Sequence, residues 1–94
     1  MIKNGLAVQP NPFYPSTTLS VYMTGGAPAH LVIFDAAGRA VWRSDLKCDS
    51  KAGGTVVVAW DGRDRKGRAL ASGVYLARLF AGEKQLTQKM ILSR

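Results

Sequence analysis

Apolar and polar residues alternate along most of this chain, and that period of two, rather than a helical period, sets the expected architecture. Leu19, Val21 and Met23 fall on one side of the segment 17–24, with Thr18, Ser20 and Tyr22 on the other. That arrangement predicts a half-buried strand. Residues 31–35 open Leu-Val-Ile-Phe and are apolar on both sides, as a central strand requires, and 40–44 form a returning strand in which Val41 and Trp42 should point opposite ways. Val56, Val58 and Trp60 share a face; Tyr75, Ala77 and Leu79 do so in a strand starting at Gly73; Leu86, Met90 and Leu92 do so in the last strand. With a short opening strand at 6–8, about seven strands result, and no segment reads as a helix. Short, evenly spaced strands of this kind predict an all-β sandwich. A single domain fills residues 1–94, with 1–7 as a linker or opening strand.

Turn chemistry supports the count. In Asp35-Ala36-Ala37-Gly38-Arg39 the carboxylate can accept backbone N–H groups while Gly38 supplies the positive φ of the bulge after a type I turn. The same spacing recurs at Asp64-Arg65-Lys66-Gly67-Arg68, inside a longer loop, and Ala81-Gly82-Glu83-Lys84 closes a third turn. Pro10, Pro12 and Pro15 bar their segment from a central sheet position, so it should run as an extended connector in which Phe13 plugs one end of the sandwich.

Size and composition narrow the function. A 94-residue chain buries roughly 64% of its unfolded surface, enough for one modest core. The longest apolar runs, 31–34 and 56–60, fall far short of the ~20 residues of a membrane-spanning helix, and residues 1–5 lack the apolar stretch of a signal peptide, so any export signal is expected upstream. Cys48 is the only cysteine; no internal disulfide can form, and its polar surroundings suit an incidental thiol rather than a nucleophile. The formal charge is +7, which favours anionic partners in general. Its densest group, Arg63, Arg65, Lys66 and Arg68, is interleaved with Asp61 and Asp64, and this reads first as a solvated loop face and second as an anion-binding patch.

No constellation of chemistry-bearing residues emerges. His30 has no second histidine or cysteine pair with which to hold zinc, and a dyad with Cys48 lacks a third, orienting group. The Asp61-to-Gly67 stretch superficially suits calcium, yet arginines stand where oxygen ligands would be needed. No catalytic residue, metal site or cofactor is expected. Trp60 should anchor the core in phase with Val56 and Val58, and Tyr75, just after Ser72-Gly73, should tie its hydroxyl to a loop backbone as in the tyrosine corner of sandwich folds. Trp42, beside Arg43, is the residue offered as a surface contact.

Taken in order, Pro10-Asn11-Pro12-Phe13 with Ser16-Thr17-Thr18-Leu19, Ile33-Phe34-Asp35-Ala36-Ala37-Gly38-Arg39, Trp60-Asp61-Gly62, Ser72-Gly73-Val74-Tyr75 and Lys89-Met90-Ile91-Leu92 resemble a known family. It is the immunoglobulin-like domain shared by flagellar hook-capping proteins and by the C-terminal sorting domains of type IX secretion cargo. The likeness covers about residues 8–94 and implies an immunoglobulin-like β-sandwich without catalytic activity. Sorting domains typically open on a Pro-Asn-Pro-Phe-like segment and end shortly after a lysine-plus-aliphatic strand, as this sequence does. The stretch 44–54 departs from the family in being longer and more polar.

What the resemblance implies is the last domain of a longer exported protein in Bacteroidetes-like bacteria. Such a domain folds in the periplasm, is recognised by the outer-membrane type IX translocon and is removed by a sortase, leaving the cargo secreted or at the cell surface. Its partners would be those components and the upstream cargo domain, with no nucleic acid and no membrane span. Recognition is expected at the edge of the terminal strand, 89–93, where unpaired backbone groups can add a partner strand. Two alternatives remain: a carbohydrate-binding or adhesion module using Trp42, Tyr14 and Tyr22, and a hook-capping-type assembly domain.

Overall fold

A computed structural model describes residues 5–23, 28–47 and 52–94. Seven strands succeed one another: β1 Gly5–Gln9, β2 Thr17–Met23, β3 Ala29–Phe34, β4 Ala40–Leu46, β5 Gly54–Trp60, β6 Gly73–Ala81 and β7 Lys84–Leu92. They form two antiparallel sheets, ordered β1-β2-β5 and β4-β3-β6-β7. The molecule is therefore an immunoglobulin-like β-sandwich, and the period of two is the reason. In β2 every second residue is buried, so Leu19 and Val21 meet Leu31, Ile33, Leu79 and Met90 from the facing sheet, all essentially without solvent contact. β3 is central, and even its outer-face Val32 is buried.

Strand ends differ from the sequence reading by a few residues, as terminal pairing extends beyond the apolar core of each strand. The larger difference lies in β4. Ile33 stands opposite Trp42 but Phe34 opposite Ala40, which leaves Val41 as the extra residue of a β-bulge. Alternation fails at a bulge, so Val41 and Trp42 do not part to opposite faces; both are partly buried against the core. Cys48 and Thr24 lie outside the described residues.

Gly38 and Gly67 take φ of 85° and 82° and close the two Asp-initiated turns. The β6–β7 connection is a two-residue loop whose first residue, Gly82, has φ 61°, the conformation that matches the twist of paired strands.

Candidate functional site

β7 is an edge strand in the larger sheet, as expected for recognition by strand addition. Four of its outward backbone groups at 89–93, however, are already engaged. Asn11 donates from Nδ2 to the Lys89 carbonyl at 2.7 Å and accepts the Ile91 N–H at 2.9 Å. Phe13 donates its N–H to the Ile91 carbonyl and accepts the Ser93 N–H, each at 2.9 Å, in a parallel bridge to Leu92. The prolines explain this geometry. Pro10 and Pro12 cannot donate, so the segment cannot build a full ladder, and Asn11, with an amide that both donates and accepts, substitutes for a backbone unit. Residues 11–13 thus form a strap along the end of β7. The expected free edge at 89–93 is a composite of strap and strand; Gln88 adds a bond from Nε2 to the Leu6 carbonyl at 3.1 Å.

Beneath the strap lies an aromatic cluster. Phe13 and Trp60 are 2% and 1% exposed, their ring centroids 5.6 Å apart, and Tyr75 meets Trp60 edge-on at 5.7 Å. Each polar tip finds a carbonyl, as burial demands: Trp60 Nε1 donates to Arg63 at 3.0 Å and Tyr75 Oη to Ala71 at 2.6 Å. Burial chiefly, and then the charge of Asp35, push the Tyr75 hydroxyl up from its ordinary range, with Arg94 opposing. Met90, opposite Tyr75, and Leu92, opposite Gly73, complete the floor. Gly62 has φ 71°, and a Cβ there would stand 3.3 Å from Leu92 Cδ2, so the Trp60-Asp61-Gly62 corner requires glycine. Arg94, which no local pattern singles out, binds the corner and loop through Nε to the Leu70 carbonyl at 2.7 Å and its N–H to Ser72 Oγ at 3.0 Å, with its guanidinium over Tyr14.

The two Asp-initiated turns are near copies. Asp35 Oδ1 accepts the N–H groups of Ala37 and Arg39 while Oδ2 accepts Arg39 Nε, all at 2.9 Å. Asp64 does the same with Lys66, Arg68 and Arg68 Nε at 2.9–3.0 Å. Bonds from the Arg39 and Arg68 backbones, respectively, hold both carboxyls below their usual range, against some desolvation, with further lowering by the neighbouring N–H and the arginine side chains. Among the described residues Asp61 makes only a long ion pair to Arg63, at 3.8 Å.

Other candidates do not converge. Tyr14 sits in the connector and is 60% exposed, Tyr22 lies on the outer face of β2, and Trp42 is in the other sheet opposite buried Ile33, its ring partly covered. They share no platform on which a sugar would stack. His30 stacks on Phe80 at 4.8 Å, and among the described residues no cluster of three or more metal-ligating side chains occurs.

The sequence model of the FlgD Ig-like domain matches residues 11–84, and the chain belongs to that family, whose fold is structural rather than catalytic. Similar solved structures include the following three. Dimeric latent PorU from Porphyromonas gingivalis aligns over 98% of this chain and 10% of its own, at 23% identity with a TM-score of 0.78. PorZ, an essential surface component of the type IX secretion system of the same organism, aligns over 96% and 12%, at 25% identity and 0.65. FlgD from Xanthomonas campestris, described for hook capping in flagellar assembly, aligns over 94% and 65%, at 25% identity and 0.62. The chain thus spans from a tenth to just under two thirds of these three proteins. No curated protein sequence matches it.

Proposed function

We propose that this domain is a non-catalytic C-terminal sorting module that directs an exported cargo through the type IX secretion system to the cell surface. The observation that carries the reading is the strap-and-strand edge, in which the Pro-Asn-Pro-Phe segment and the Lys-Met-Ile-Leu strand, distant in sequence, are joined into one edge that exposes Pro10, Asn11, Pro12 and Lys89 and buries Phe13, Met90 and Leu92. Likeness to PorZ over nearly the whole chain supports it. The translocon would read the side chains and flank of this composite rather than bare backbone, since four of its outward groups at 89–93 are taken. The module contributes an address, and the sortase and translocon supply all chemistry.

Fusion of residues 1–94 behind a Sec-exported reporter tests the reading in a host with a type IX system. Surface display of the reporter is expected, and retention in the periplasm would refute it. Asn11→Ala should reduce display more than a substitution on the outer face of β5.

A second reading, an assembly domain of the hook-capping type, is favoured by the match to FlgD, of which the chain covers 65%. Rescue of hook assembly by a chimeric FlgD carrying this domain, without surface display of the reporter, would select it.

A further inference from the structure

The twin turns do more than close loops. They face each other across an open groove of about 470 Å³, held together where the Arg65 N–H donates to the Val41 carbonyl at 3.2 Å. Arg39, Arg65, Lys66 and Arg68 line it, and its apolar lining comes from Val41, Leu70 and Tyr75. We propose that this groove binds a phosphorylated sugar, the phosphate on the arginine forks and the sugar body against Val41 and Leu70. The inference is independent of the sorting role.

Three observations lead there. Arg39 and Arg68 each bind their aspartate through Nε alone, in exposed ion pairs, so both Nη groups of each remain available among the described residues. Such a planar fork matches phosphate in bidentate fashion. The side chains of Arg65 and Lys66 engage no partner among the described residues. Four cations against the two carboxylates of Asp35 and Asp64 leave a net of two positive charges in the groove, equal in size to the roughly −1.5 to −2 of a phosphate monoester near neutral pH. The volume exceeds what one phosphate fills and falls in the range of small-ligand clefts, ~300–1,000 Å³. The apolar lining suits the CH faces of a sugar ring better than a second anion.

Titration of the ¹⁵N-labelled domain with glucose 6-phosphate, inorganic phosphate and glucose tests the proposal by amide shifts. Glucose 6-phosphate should give saturable shifts confined to residues 35–41 and 64–71, glucose none, and inorganic phosphate binding weaker by about five-fold, since it lacks the body that meets the apolar lining. Because neither side chain holds a turn, the Arg65→Gln/Lys66→Gln variant should keep its fold and lose about ten-fold in affinity. The charge-matched control Lys84→Gln/Lys89→Gln should bind unchanged. Arg39→Lys with Arg68→Lys retains charge but removes the forks, and should weaken binding as well. Equal affinity for inorganic phosphate and the sugar phosphate, shifts spread over all basic residues, an unaffected Arg65/Lys66 variant, or tighter binding by a phosphoserine peptide would each overturn it.

Discussion

Truncating Phe13 to alanine should destabilise the domain more than any loss of the hydrogen bonds around it. The ring is 2% exposed and packs on Trp60 at 5.6 Å, so removal costs the transfer of a phenyl group and leaves a cavity, about 3–5 kcal/mol in comparable sites. A domain of this size holds roughly 5–14 kcal/mol in total, so the loss is a large fraction. At ~4–8 °C per kcal/mol the melting temperature falls by at least about 12 °C. Asn11→Ala removes two hydrogen bonds, but both are exposed, and water can replace them; about 1 kcal/mol is expected. Urea unfolding of the two variants, with unchanged m-values, measures both. A cycle with Trp60→Phe should give a coupling of ~0.5–1.5 kcal/mol with Phe13. A Phe13→Ala loss below about 1 kcal/mol, or an Asn11→Ala loss exceeding it, would refute the view that packing rather than edge bonding seats the strap.

Other outcomes are equally specific. Tyr75→Phe should cost about 1 kcal/mol by losing the bond to Ala71, read as a lower thermal midpoint with unchanged near-ultraviolet signal from Trp60. Gly62→Ala should destabilise more than Gly38→Ala: both replace a positive-φ glycine at a cost of ~1–2 kcal/mol, but only at Gly62 does the new Cβ meet Leu92. The carboxyls of Asp35 and Asp64 are lowered by folding, so the stability they contribute is present above the ordinary carboxylate value and is lost as pH falls through their lowered folded values. Acid unfolding curves of Asp35→Asn and Asp64→Asn should accordingly be flatter below that value. Tyr75 is shifted the other way; its contribution is intact below the ordinary tyrosine value and fades as pH rises through the raised folded one, a loss absent in Tyr75→Phe.

Where structure is set by neighbours in sequence, the chain announces it. Strand faces in β2 and β5, the Asp-x-x-Gly-Arg turns and the anchoring of Trp60 and Tyr75 all rest on short-range pattern, because period two and turn chemistry act within a few residues. The bulge at Val41 escapes such reading: it depends on how β4 is paired with β3 across the hairpin, and nothing in Ala40-Val41-Trp42 differs from an ordinary strand. The strap is invisible for a different reason. Asn11 and Ile91 are 80 positions apart, and a Pro-Asn-Pro sequence predicts an extended connector without saying what it lies against. Arg94 likewise gains its meaning only from carbonyls brought to it by the long loop. The groove is half legible, as a cluster of cations in one loop, but its second wall comes from a turn 29 positions earlier in the chain, with Asp35 and Asp64 as the matching first residues.

The direction of the strap bears on how the molecule responds to pulling. Leu6 meets Gln88, Asn11 meets Lys89 and Ile91, and Phe13 meets Leu92, so the opening of the chain runs alongside β7 in the same sense. Tension applied between Gly5 and Arg94 therefore slides these segments along each other, loading several bonds and the buried Phe13 ring together instead of unzipping them one by one. Such a parallel seam gives the domain mechanical resistance along the line joining its two ends.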